Sequence, residues 1–200
     1  MPRRQDLIAD EPIISSERLI LRPGSPQDAS EIIRYYRENR EHLAPHEPSR
    51  REDFYSEAFW HEQVAVRLEE IKNGSSLRLL LFRRRDASRL IGVVNLGRFI
   101  RGVRHSCQLD YSLAETMQGQ GYMSEILPMV IRFAFEELNF HRIDAAYMPQ
   151  NIRCGNLLKK LDFAIEGYVR DYALINDRWE DHLLASRLNP NWKEAHDDGE

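Results

Sequence analysis

The stretch YSLAETMQGQGYMSE occupies residues 111–125, from Tyr111 to Glu125. An apolar strand ends at its start, a short polar turn carries Gly119 and Gly121, and a helix opens at its end. Met123, Ile126, Leu127, Val130, Ile131, Ala134, Phe135 and Leu138 recur on one face of that helix at the 3.6-residue period. Glycine has no Cβ, so backbone there can lie close to a ligand. The first N–H groups of a helix have no partner within it, and its dipole favours negative charge at that end. A phosphate group suits both features. An ordinary turn before a helix would carry the same pattern. The run is not a P-loop, because no Gly-Lys-Ser/Thr follows, nor the G-x-G-x-x-G fingerprint of a βαβ unit, since the strands before it read as antiparallel.

Working outward, residues 17–22 (ERLILR) form a short apolar strand. Ser25-Pro26 starts a helix, with Asp28 placed as cap partner and Ala29, Ile32, Ile33 and Tyr36 on its apolar face. Residues 45–48 (PHEP) are a loop, and a second helix is predicted over residues 52–72, stopping at Asn73-Gly74. Strands follow at 77–83, 89–99 and 106–113, with Gly102 turning the chain. Pro128 falls opposite the apolar face of the glycine-led helix, where it deletes one hydrogen bond and should bend the axis. A strand at 142–148, a helix at 152–161 and two strands around Asn176-Asp177 complete the order β-α-α-β-β-β-α-β-α-β-β. That order is an α+β domain of two layers.

Two hundred residues suit one domain, read from 13 to 188, with 1–12 and 189–200 as tails. Residues 191–200 are acidic and nearly free of apolar side chains, so no structure is expected there. A net charge of −4 gives no global cationic field for nucleic acid. Apolar runs are too short to span a membrane, and residues 1–10 lack the apolar core of a secretory signal. Cys107 and Cys154 read as unpaired thiols of a cytoplasmic protein, and no His/Cys cluster has metal-site spacing. His42 and His46 are four apart, but Pro45 lies between them.

Three motifs then stand in order. Gln118-Gly119-Gln120-Gly121 resembles the Q/R-x-x-G-x-G/A pyrophosphate loop of the GNAT superfamily of N-acetyltransferases. Residues 151–163 (NIRCGNLLKKLDF) resemble that family's N-x-x-S-x-x-L-x-x-x-G-F segment, and residues 16–22 (SERLILR) its S/T-x-R-L-x-L-R opening. The runs YYRENR (35–40), GVVN (92–95), MQGQGYM (117–123), HRI (141–143), YMP (147–149), EGY (166–168) and WEDH (179–182) are similar to the RimJ-like branch, the ribosomal-protein-alanine N-acetyltransferases. The resemblance implies the GNAT fold, a central mixed and mostly antiparallel sheet flanked by helices. It implies acetyl-CoA as cosubstrate, no metal, and a protein N-terminal amine as acceptor.

Carried over by position, Gly119 and Gly121 admit the pyrophosphate. Gln118 and Gln120 shape the loop or offer backbone N–H groups, and Tyr122, Met123 and Ser124 add theirs. Tyr111, Ser112 and Leu113 would pair with the pantetheine amides as an added strand edge does, while remaining an ordinary strand. Asn151 is a helix N-cap that would also contact the pantetheine arm, and Asn156 is a weaker contact or a surface residue. Cys154 stands where the family has serine; it is a small packing thiol or the proton donor to the leaving thiolate. The backbone N–H of Leu113 is the candidate oxyanion donor. Departures from the family are Met123 for the loop's last small residue, Asp162 for glycine, and Leu158 where many relatives carry an acidic tyrosine. Asp110, Glu115, Glu166 and Asp171 are candidate bases or plain surface carboxylates. The basic run Arg98, Arg101, Arg104, His105 is a soluble hairpin, or faces a ribose phosphate or RNA. Two rivals keep the same donor site: a small-molecule amine acetyltransferase, and a non-catalytic acyl-CoA sensor.

Overall fold

A computed structural model describes residues 13–194. Among these residues eight strands make one sheet in the order β1-β2-β3-β4-β5-β6-β8-β7. They are β1 (Ile14–Ser15), β2 (Leu19–Pro23), β3 (Leu77–Arg83), β4 (Asp86–Ile100), β5 (Ser106–Leu113), β6 (Arg142–Tyr147), β7 (Ala164–Ile175) and β8 (Arg178–Leu188). All neighbours are antiparallel except β5 and β6. The helices are α1 (Ala29–Glu38), α2 (Arg40–Leu43), α3 (Glu57–Lys72), α4 (Tyr122–Glu136) and α5 (Ile152–Lys160). No described helix is long and apolar enough to cross a membrane.

Side chains alternate across a strand, so the sheet carries two cores. Cys107 and Leu109 of β5 face α4, where Met123, Ile126, Leu127, Val130, Ile131 and Ala134 meet them. On the other face α1 and α3 bury Tyr35, Tyr36, Trp60 and Val64 against Leu80, Phe82 and Val93. The apolar stripe read from the α4 sequence is therefore the stripe it buries. Helix α4 runs on through Pro128, which sits half-exposed.

The predicted helix over 52–72 is two pieces. A 3-10 turn spans Glu52–Tyr55, Ser56 is extended, and α3 begins after it. Ser56 Oγ donates to Asp53 O at 2.7 Å and accepts from Phe59 N at 3.3 Å. The break lets Phe54 and Tyr55 turn inward; Trp60 Nε1 donates to Phe54 O at 2.8 Å. The start of α1 is also tighter than expected, a 3-10 turn Pro26–Asp28 leading into it. The β7–β8 hairpin turns through Asn176 (φ 44°) and Asp177 (φ 64°), the left-handed pair that a two-residue turn needs.

The expected unstructured tail is corrected in part. Residues 191–194 have no regular structure, but Trp192 packs against the rings of His105 and His141 and donates to Asn139 O at 3.2 Å. An indole is large enough to anchor a polar segment. The tail readings for 1–12 and 195–200 lie outside the described residues.

Candidate functional site

The one parallel junction is short. β5 and β6 pair only at Ser106↔Arg142, Cys107↔Ile143 and Gln108↔Asp144. β5 stays paired with β4 up to Gly92↔Leu113, while β6 follows β8. The two strands therefore part, and among the described residues no strand covers the outer edge of Tyr111, Ser112 and Leu113. Such an edge can take an extended ligand through its backbone groups. β4 and β5 touch closely there: a Cβ on Gly92 would lie 2.6 Å from Ser112 O, so only glycine fits.

Beyond Leu113 the chain makes a 3-10 turn, Glu115–Met117, and reaches the glycines. Gly119 has φ 74° and Gly121 φ 76°, conformations that strain any residue with a Cβ. Gly121 caps α4, and its carbonyl accepts from Glu125 N at 3.0 Å, so the N–H groups of Tyr122, Met123 and Ser124 lack helical partners. Gln120 Nε2 donates to Thr116 O at 3.1 Å and holds the loop's shape. Gln118 is drawn sideways: its Nε2 lies 2.8 Å from His42 Nε2, and its Oε1 accepts from Arg153 of α5.

One cation near this loop escaped the sequence reading. Arg18 Nη2 lies 3.7 Å from where a Gly121 Cβ would be, and its guanidinium covers the Tyr122 ring at 4.7 Å. Arg18 Nε donates to Glu125 Oε2 at 2.6 Å, and Ser16 Oγ to Glu125 Oε1 at 2.6 Å. Burial pushes the Glu125 carboxyl up, but these donors prevail and hold it below its ordinary range. The opening motif thus serves to clamp the start of α4. Its sequence signal was the bare spacing Ser16, Arg18, with no mark of its partner 107 positions away.

On the α5 side, Asn151 Oδ1 accepts from Cys154 N at 3.1 Å, the N-cap role. Asn156 is exposed and its side chain makes no hydrogen bond among the described residues. Cys154 is half-buried, and its Sγ accepts from Tyr111 Oη at 3.3 Å. Burial pushes the pKa of the thiol up and that of Tyr111 up further, so both hold their protons at neutral pH. Leu158, where an acidic tyrosine was sought, is buried in the core. The sequence motif concerns only the backbone of Tyr111; no local pattern places its hydroxyl at Cys154.

The opposite face of β5 carries Ser112, Asp110, Gln108 and Ser106. Ser112 Oγ meets the buried Tyr35 Oη at 3.0 Å, and Asn39 Oδ1 accepts from Glu115 N at 2.9 Å. Asp110 accepts from Asn95 Nδ2 at 2.7 Å. It is exposed at the surface of β5. Desolvation raises its pKa against the Asn95 hydrogen bond and the charges of Arg78, Arg67 and Arg98. Glu166 differs: Arg142 and Ser186 hold it down at about 2. Asn176 N donates to Glu47 O at 3.3 Å, so the hairpin tip closes onto the 44–51 loop beside this face. The basic run 98–105 stands at the far end of β5 from the glycine loop.

The sequence profile described as the Acetyltransferase (GNAT) domain matches residues 18–164. The chain belongs to the GNAT acetyltransferase family. It is 39% identical over 179 residues to the [Ribosomal protein uS5]-alanine N-acetyltransferase of Escherichia coli, covering 90% of this chain and 92% of that one. The ribosomal-protein-S5-alanine acetyltransferase of Vibrio fischeri superposes with a TM-score of 0.85 at 33% identity, covering 90% and 98% of the two chains. Mycobacterium smegmatis RimJ, solved in complex with CoA-disulfide, superposes with a TM-score of 0.79 at 25% identity, covering 85% and 81%. The GNAT fold read from three short motifs is the fold observed.

Proposed function

We propose that this protein transfers acetyl from acetyl-CoA to the N-terminal α-amine of a ribosomal protein that begins with alanine, in the cytoplasm. The observation that carries the acceptor is the 39% identity spread over nine-tenths of the chain to an enzyme named for that substrate. The donor side rests on the parted strands and the glycine loop, which suit an extended amide arm ending in phosphates. In this reading the N–H groups of Gly119, Gly121, Tyr122, Met123 and Ser124 take the pyrophosphate, with Gln118 and Gln120 fixing the loop. Tyr111, Ser112 and Leu113 line the pantetheine arm with Asn151 and Asn156.

The residues around the gap divide the chemistry. The acceptor amine loses a proton to Asp110, whose pKa desolvation raises, making it a stronger base than an ordinary carboxylate. The neutral amine attacks the thioester carbonyl; the new N–C bond forms, the C–S bond breaks, and the nitrogen sheds its second proton to the thiolate that Cys154 becomes when it protonates the departing sulfur. The Leu113 N–H steadies the oxygen as it gains charge. Cys154, protonated and beside Tyr111, gives its proton to the departing sulfur. An α-amine suits a mild base, since its pKa of ~7.7–8.0 leaves a good fraction neutral near pH 7.4, against about one part in a thousand for lysine.

The test is a competition with acetyl-CoA among a peptide with free N-terminal alanine, its N-blocked form carrying a lysine, and spermidine. The free α-amine should win. Preference for the blocked lysine peptide or for spermidine rejects this acceptor and leaves a lysine-directed or small-molecule enzyme.

A further inference from the structure

Helices cover one face of the sheet along β5, β6 and β8, and leave the other bare. Cys107, Leu109, Ile143, Ala145 and Ala185 point into the α4 core. Their neighbours point the opposite way, where α1 and α3 pack over β3 and β4 and stop short. The bare area is a groove of about 260 Å³ lined by Gln108, Asp144, Arg142, Glu166, Arg98 and Arg104, among others. It begins one step along this face from Asp110. From Asp110 to Ser106 is four residues of strand, about 13 Å, the span of about four residues of extended peptide.

Charge along this groove is uneven. Asp110 marks the end near the parted strands. Arg142 is neutralised, its Nε on Asp144 at 2.5 Å and its Nη1 on Glu166 at 2.8 Å. Arg104 reaches Asp144 only at 3.4 Å and is 56% exposed. Arg98 makes no hydrogen bond or ion pair among the described residues. It stands at φ 50° in a β-bulge where the β4–β5 register slips between Gly97 and Ile100. A bulge of this kind re-aims a side chain, and a left-handed arginine is strain that the surrounding strands hold in place. Arg98 follows directly on the Gly97↔Gln108 pair, and Arg104 reaches Asp144 in the neighbouring Gln108↔Asp144 pair, so surplus positive charge begins one step along the strand from Asp110.

We infer that this groove holds the first residues of the acceptor chain and selects one with an acidic side chain a few positions after its amine. The inference rests on the protein-amine reading above. The complement of the groove is an amine at Asp110 followed, about two residues in, by a carboxylate at Arg98 and Arg104. A polyamine fits poorly, because its second cation would meet those arginines. A basic peptide fits poorly for the same reason.

The experiment compares three peptides with free N-terminal alanine that differ only at the third position: Glu, Gln or Lys. For the natural chain kcat/KM should fall in that order, with Glu ahead of Gln by about 3- to 10-fold, as two exposed charge pairs provide. High salt should narrow the gap. In the Arg98→Gln/Arg104→Gln variant the Glu and Gln peptides should become equal while the KM for acetyl-CoA stays put, which also reports that the variant is folded. Equal rates for Glu and Gln peptides in the natural chain overturn the inference, as does a preference that survives in the variant. If no alanine peptide is acetylated and spermidine is, the protein-amine reading falls and the groove's role falls with it.

Discussion

Tyr111 and Cys154 lie 43 positions apart in the chain and meet at 3.3 Å in the gap between two strands. A thiol whose pKa is raised by burial stays protonated at neutral pH, so it is a poor nucleophile and holds a proton that the more basic departing thiolate can take. Replacing Cys154 with alanine should lower kcat by about 10²–10⁴-fold and leave coenzyme affinity nearly unchanged, whereas serine should restore most of the rate. Calorimetry and steady-state rates separate the two effects; near-normal turnover in the alanine variant returns Cys154 to packing. Asp110 carries the opposite role. A base must be charged to work, so activity should fall as pH drops through its raised pKa. Asp110→Asn should cost about 10²-fold in kcat/KM and remove that acid limb, leaving only the titration of the amine itself. A limb that persists in Asp110→Asn would place the base elsewhere.

At the scale of one element, α1 shows how much a cap contributes. Asp28 takes two hydrogen bonds from Arg22, both at 2.7 Å, and one from Ser25 N at 2.7 Å. Burial pushes its pKa up, but these donors outweigh it and the net shift is downward. A depressed folded pKa means stability that is present above the ordinary carboxylate pKa and lost as pH falls through the folded value. Asp28→Asn should therefore cost about 3 kcal/mol in urea at pH 7, since it breaks the two-pronged pair with Arg22, and the gap should shrink below about pH 4. A gap equally wide at pH 3 would show that shape rather than charge sets the cap. The cap was legible in the sequence, because Ser-Pro-x-Asp acts over three residues. So was the α4 stripe, whose period is set by the helix itself. The break at Ser56 was not legible: residues 52–72 are helical by local pattern, and the interruption exists because Phe54 and Tyr55 gain burial against Tyr36 and Trp60 on other elements. Trp192 shows the same limit. Its dock is formed by His105 and His141, and nothing in its polar surroundings announces them. The site divides in the same way. The glycine loop and the Asn151 cap are local and legible; Arg18, the Tyr111 hydroxyl and His42 reach the site through tertiary contacts and are not.

At the scale of the described molecule the single sheet narrows to three residue pairs at the β5–β6 junction, with β1–β5 on one side and β6–β8 on the other. Few backbone bonds cross the junction, so packing by α4 against both sides carries much of the connection. A coenzyme lying in the gap would hydrogen-bond to β5 and touch α5, and so splint the two halves. Binding to the folded state alone stabilises it by about 2.7 kcal/mol when the ligand stands at a hundred times its Kd. For a domain of this size each kcal/mol is worth about 2–4 °C, so saturating coenzyme A should raise Tm by about 5–10 °C. New hydrogen-exchange protection should appear at residues 111–113 and 119–124, and little at the β2–β3 edge. Gly121→Asp supplies the control. It places a carboxylate in the proposed phosphate site and a side chain at φ 76°, so both the Tm gain and the protection should vanish although the apo protein still melts cooperatively. A folded Gly121→Asp protein that keeps the full Tm gain would remove the phosphate site from this loop, and with it the splint.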